Sequence, residues 1–308
     1  MNILVLFSAH HLGFLQHDIV EFCNNFLLTK YSISILKTNW LKPDCVVDFE
    51  LSRSVTLTEF YEIRLFLSQT FPELQLDVCV VSTHSRRKKL LLADMDATIV
   101  QGETLDELAD YAGLKEEIST ITVRAMRGEI DFETALRQRV KMLKNLNIST
   151  LSQTLSKTIL HAGAKELVSV MRRHGAACYL VSGGFTFFTE DIARQCGFTG
   201  HHGNQLQIEE AKLTGEVIPP ILGKETKLEL LKKYTHQFSL DITETMAVGD
   251  GANDIPMLKM AGLGVGFQPK PLVRQEIPNC IFYGDLTYLL YLQGYTCQDI
   301  QDVTSATL

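Results

Sequence analysis

A chain of 308 residues, 45% of them hydrophobic, is long enough for two domains that each bury a core. A formal net charge of -7 with no long basic stripe excludes a nucleic-acid backbone or an anionic membrane surface as the expected partner, and favours a small molecule or a metal ion. Seven cysteines stand singly with no C-x-x-C pair, as expected of reduced thiols in a cytoplasmic protein, and the start MNILVLFSAHHLGF lacks the basic region and cleavage site of a leader.

Residues 1–83 alternate strand-like runs (NILVLFSA, SISILKTNW, CVVDFELS, LDVCVVST) with two stretches of helical spacing, LQHDIVEFCNNFLL and LTEFYEIRLFLSQTF. The order β-α-β-β-α-β predicts a ferredoxin-like α+β domain, the arrangement that ACT-type amino-acid-sensing domains also use. Serine binding there is one reading; a structural or homodimer-forming role is the other, because one fold serves many functions. The basic stretch at 84–89 reads as a solvated linker.

From Leu90 the runs KLLLAD, AACYLVS, TMAVGD, LGVGF and CIFY alternate with helices, which predicts an α/β, Rossmann-like doubly wound parallel sheet over 90–295. A purely helical insert at about 104–160 reads as a cap over the strand ends. Thr104 with Glu107 and Thr150 with Gln153 have capping-box spacing, and Asp131 is an N-cap candidate. Gly175 and Gly197 are expected to close the helices flanking the second strand. LQIEE and KLTGEVI predict a hairpin with no readable role, and 296–308 reads as a loose polar tail.

Four signals fall at strand ends or on a following helix. Asp94 and Asp96 leave the first strand and alternate across it, so they share a side only if the chain turns after Asp94. Ser182, Gly183 and Gly184 end a buried strand before a helix, where the backbone can approach an anion. Gly249-Asp250-Gly251-Ala252-Asn253-Asp254 packs two carboxylates into one turn, which repel unless a cation, most simply Mg²⁺, lies between them. Lys227 taken alone reads as a solvated lysine. Bland readings exist for each: loop caps, an ordinary strand-to-helix turn, and Asx capping by Asp254 before Pro256.

Together, DMDATIV, VSGG, Lys227 and VGDGAND occur in the order and spacing of the haloacid-dehalogenase-like phosphatases, which residues 90–295 resemble. The stretches at Glu103–Leu108 and Met126–Val140 are similar to the branch of that family that acts on O-phosphoserine. The resemblance implies Asp94 as nucleophile, Asp96 as acid and then base, and a Mg²⁺ held by Asp94, the Asp96 backbone carbonyl and Asp250. It implies that Ser182, Gly183 and Lys227 bind the phosphoryl group, and that Asn253 and Asp254 orient the lysine and the metal ligands. It places Glu103 on a substrate ammonium and Arg139 on a substrate carboxylate, with Arg137 as rival, and Met126 and Phe132 as closing residues. The family's usual serine is replaced by Ala97, which touches none of these groups.

The expected activity is therefore Mg²⁺-dependent hydrolysis of O-phosphoserine, the last step of serine biosynthesis. The alternatives are a phosphatase or phosphotransferase for another small phosphomonoester, and an amino-acid-sensing protein with a decayed phosphatase half. A receiver-type phospho-acceptor would have no use for the helical insert.

Overall fold

The computed structural model describes residues 2–8, 17–126 and 129–305. Strand β1 (Asn2–Ser8), helix α1 (His17–Tyr31), strands β2 (Ile35–Lys42) and β3 (Val46–Leu51), helix α2 (Leu57–Thr70) and strand β4 (Leu76–Ser82) follow in the expected order. Their sheet is antiparallel and ordered β2-β3-β1-β4, the ferredoxin-like arrangement. Period-two alternation gives it two apolar faces. Leu4, Leu6, Val47, Phe49 and Val78 pack with Cys23, Leu27, Phe60 and Ile63 of the helices. Ile3, Val5, Phe7, Cys79 and Val81 instead join the core of the larger unit.

That larger unit begins with β5 (Leu90–Ala93), buried at every position as a central parallel strand must be. Helices α3 (Thr104–Tyr111), α4 (Lys115–Met126), α5 (Phe132–Met142) and α6 (Ile148–Lys157) form the insert. Then come α7 (Ala164–Arg173), β6 (Ala177–Phe185), α8 (Thr186–Cys196), β7 (Gly200–Glu209), β8 (Lys212–Ile218) and α9 (Lys224–Gln237). The chain ends with β9 (Thr245–Gly249), α10 (Ile255–Met260), β10 (Leu263–Phe267), α11 (Pro271–Glu276), β11 (Cys280–Ile281), α12 (Tyr288–Leu292) and α13 (Cys297–Ser305). The sheet order is β11-β10-β9-β5-β6-β7-β8, parallel except for the β7–β8 hairpin. Successive strands run outward in opposite directions from β5, so the crevice beyond β5 and β9 is a topological switch point.

The hairpin braces the insert: the Asn145 N–H donates to Leu213 O at 2.8 Å and the Leu213 N–H to Leu146 O at 2.9 Å. Asp131 caps α5 by accepting from the Thr134 N–H. Gly175 and Gly197 take φ of +83° and +78° just past α7 and α8, the left-handed turn that glycine permits.

Four local expectations are corrected. Thr104 is not an N-cap, because its N–H and hydroxyl both donate to Asp96, and Glu103 takes the cap position. Helix α6 starts earlier than Thr150, at Ile148, with the Asn147 side chain accepting from the Ser149 N–H. The polar tail contains α13, started by reciprocal bonds between Thr296 and Asp299 and anchored by buried Ile300. The basic stretch before β5 is solvated only in part, with His84, Arg87 and Lys89 exposed. Arg86 pairs with Asp48 at 2.7 Å and donates to Leu292 O, and buried Lys88 donates to Ser85 O and Thr243 O.

These bonds belong to a seam that fixes the amino-terminal sheet on the larger unit. Asp77 of β4 accepts from the N–H groups of Phe282, Tyr283 and Gly284 at 2.8, 3.1 and 3.0 Å. The Asn279 side chain bonds both backbone groups of Val80, taking the place of a strand partner at that edge of β4. Phe7 stacks on Tyr288 at 4.4 Å, and the Tyr288 hydroxyl donates to Ser8 O.

Candidate active site

Asp94 is the first residue past β5, and its N–H continues the ladder to Val248 O at 3.0 Å. The chain then turns sharply: the N–H groups of Thr98, Ile99 and Val100 all converge on Met95 O, and Ala97 takes a φ of +54°. This turn meets the condition for Asp94 and Asp96 to share the crevice.

Their partners differ. Asp94 accepts from Lys227 Nζ at 2.5 Å, and the same ammonium donates to Asp254 at 2.6 Å. All three side chains are buried, with Lys227 only 2% exposed. Burial works against a charged lysine, but the Asp254 and Asp94 carboxylates outweigh it and hold the ammonium well above its ordinary range. The second Asp254 oxygen accepts from the Gly251 N–H, and Asn253 folds back over Gly251, where a Cβ would come within 2.6 Å of its Oδ1.

Asp250 is the first residue past β9, and one carboxylate oxygen each of Asp94, Asp250 and Asp254 lies within 4.8 Å of the others. Lys227 and half-exposed Lys270 do not balance these three carboxylates, since Lys270 also pairs with Glu103. Burial, then Asp254, push Asp94 above the usual carboxylate range against the pull of Lys227, and burial pushes Asp250 up to about 6. Hard oxygen donors with surplus negative charge fit a divalent cation such as Mg²⁺.

The Asp96 carboxylate is turned away from this cluster. One oxygen accepts from the Thr104 N–H and hydroxyl at 2.8 and 2.7 Å, and the other from the Ser182 hydroxyl at 3.1 Å. Burial and then the nearby Glu103 charge raise its pKa, which favours holding a proton. Ser182 Oγ also accepts from the Gly184 N–H at 2.8 Å. Gly184 keeps this contact close, since a Cβ there would crowd both Asp96 Oδ2 and Ser182 Oγ at 3.0 Å.

The insert reaches this floor through Phe132, whose ring would meet a Cβ on Gly183 at 3.2 Å. Half-buried Arg139 donates to Ala135 O at 3.3 Å and pairs with no carboxylate among the described residues, whereas Arg137 is engaged by Glu133. Met126 ends α4, and its side chain lies outside the described residues. Glu103 sits at the rim, paired with Lys270 at 2.9 Å.

Three residues of the site escaped sequence reasoning. Thr104 orients Asp96, Thr98 buries a hydroxyl with no hydrogen-bond partner among the described residues, and Lys270 joins Glu103 to Asp250. Lys270 follows the end of β10, so its place just beyond a parallel strand was the available signal.

The chain is 41% identical over 202 residues to the phosphoserine phosphatase of Streptococcus thermophilus, covering 66% of this chain and 94% of that protein. It is 34% identical over 261 residues to the phosphoserine phosphatase of Streptomyces coelicolor, covering 84% of this chain but 63% of that longer protein. Among solved structures it is similar to a phospho-aspartyl intermediate analogue of phosphoserine phosphatase, with TM-score 0.62, 38% identity, and 67% and 98% of the two chains covered. The model of haloacid dehalogenase-like hydrolases matches residues 91–259, more than half of the chain. The chain belongs to the haloacid dehalogenase-like hydrolase family.

Proposed function

We propose that the protein hydrolyses O-phosphoserine to serine and phosphate through an aspartyl phosphate on Asp94. The observation that carries this reading is the division of labour between two carboxylates of one loop. Asp94 is held by a buried ammonium, while Asp96 is turned away from it and held by hydroxyl and N–H donors. The names of the similar phosphatases support the substrate.

In this reading an Asp94 oxygen attacks phosphorus as the bond to the serine oxygen breaks, and Asp96 gives its proton to that oxygen. Water then attacks the phosphorus of the acyl phosphate, Asp96 takes a proton from it, and phosphate leaves with the Asp94 carboxylate restored. Lys227 and Ser182 hold the equatorial oxygens, and Gly183 lets the backbone approach them. Asp94, the Asp96 carbonyl and Asp250 hold Mg²⁺, and Asp254 and Asn253 support them. When bound, the ion supplies positive charge against the phosphoryl oxygens.

Phe132 and Met126 close the floor against water, Glu103 takes the substrate ammonium and Arg139 the carboxylate. A cytoplasmic setting suits the seven unpaired cysteines, and no helix among the described residues is long and apolar enough to cross a membrane. Serine binding or self-association at the amino-terminal sheet rests on its strand order alone.

Phosphate release from O-phosphoserine, its des-amino analogue 3-phosphooxypropanoate and p-nitrophenyl phosphate, with and without Mg²⁺, tests the proposal. O-Phosphoserine should be preferred, and only with the ion; Arg139→Ala should erase the preference while sparing part of the aryl phosphate activity. Preference for another ester by the parent protein would overturn the substrate assignment.

A further inference from the structure

Lys270 lies between β10 and α11 with a proline on either side, and its own N–H donates to Asp250 O at 2.9 Å. Its backbone is thus tied to the acidic loop, and two fixed φ angles flank it. The ammonium stands between Glu103 Oε1 at 2.9 Å and Asp250 Oδ2 at 3.1 Å. The two halves of this bridge are unlike: the Lys270 and Glu103 side chains are 45% and 46% exposed, while Asp250 is 5% exposed. An exposed pair is weak and breaks readily.

The geometry points to Lys270 as a built-in placeholder for the substrate's ammonium on Glu103, and so as a positioning residue that sets selectivity for amino-bearing substrates. The inference rests on the proposed role of Glu103 in the phosphoserine reading. Without substrate, Lys270 neutralises Glu103 and holds it at the rim. An arriving ammonium takes over Glu103 Oε1, and Lys270, whose side chain is 45% exposed, turns to solvent at little cost. A phosphoester without an amino group leaves Lys270 in place and gains nothing from Glu103.

The same ammonium competes for Asp250 with any divalent ion, so ion and substrate ammonium act on one shared lysine from opposite ends. Coupling of that kind is reciprocal.

The test uses the full chain with Lys270→Met, Lys270→Gln as a polar control that keeps solubility, and Glu103→Gln alone and combined with Lys270→Met. Lys270→Met should lower KM for O-phosphoserine about two- to fivefold, the worth of an exposed ion pair. KM for 3-phosphooxypropanoate should stay level or rise, and the change should appear in KM rather than kcat. In the Glu103→Gln background the lysine substitution should no longer alter the ratio of the two KM values. Calorimetry without substrate should show Mg²⁺ binding tightened by a similar factor in Lys270→Met.

A raised KM for O-phosphoserine in both Lys270 variants would overturn the placeholder, and unchanged Mg²⁺ affinity would overturn the shared use of Asp250. A parent protein without preference for O-phosphoserine over its des-amino analogue would instead defeat the substrate reading. Preference in the parent with an unaltered ratio in the variants would defeat the Lys270 assignment alone.

Discussion

The seam between the two sheets and the crevice beyond β5 both bury aspartates, but they balance them differently. At the seam, Asp77 receives three backbone N–H groups, and Asp48 has Asn39 on one oxygen and Arg86 at 2.7 Å from the other. In the crevice, oxygens of Asp94, Asp250 and Asp254 lie within 4.8 Å of one another, with Lys227 between Asp94 and Asp254 and half-exposed Lys270 on Asp250. Burial of a carboxylate is therefore no mark of function in this protein. The mark is crowding: three buried carboxylates share one small space, where their like charges favour a cation.

The widest separation between the two regions should come from Asp94→Asn. Phosphate release should fall on the order of 10³-fold or more, since the nucleophile is lost, while thermal unfolding of the metal-free protein should shift little or upward. Normal turnover in this variant would end the nucleophile assignment.

Asp77→Asn should do the reverse. It places an amide NH₂ against backbone donors, so unfolding free energy should drop by about 2 kcal/mol as read by denaturant titration. The pH dependence sharpens this. Burial pushes the Asp77 carboxyl up to about 6, against its N–H donors and Arg64, so the folded state holds this proton more tightly than the unfolded chain. The corresponding stability is complete below the unfolded pKa and is lost as pH rises through about 6. The parent should lose about 2–3 kcal/mol over that window, and Asp77→Asn should lack that part of the slope. Equal slopes in the two proteins would show that Asp77 does not titrate there.

The smallest effect belongs to Thr98→Val. The buried Thr98 hydroxyl meets no partner among the described residues, so its removal should leave stability within about 1 kcal/mol of the parent, or raise it. A larger loss, measured in the same titration, would mean that the hydroxyl is matched after all, as at the seam.

The crevice half of this contrast was readable in advance, because its signals are local. Apolar runs such as LLLA and TMAVG are buried on both faces, and each leads within a few residues to an acidic or glycine turn. The Asp131 cap and the left-handed Gly175 and Gly197 followed from the preferences of single positions. Local rules misled where a distant partner outbid the nearby one: Thr104 has capping-box spacing yet gives both donors to Asp96, eight residues earlier.

Sequence by itself determined most strands and helices, since periodicity and turn propensity act over a few residues, and the order of its motifs carried the resemblance that implies the chemistry. Only the tertiary structure decided which charges meet. Lys270 reaches Glu103 across 167 positions, Lys227 reaches Asp94 across 133, and Asp77 finds its N–H groups more than 200 residues away. Arg86 and Lys88 of a basic run that reads as solvated became a clasp for the same reason, while Arg87 and Lys89 stay exposed. A charged side chain is buried only when folding supplies its partner, and no local pattern encodes a partner so far along the chain.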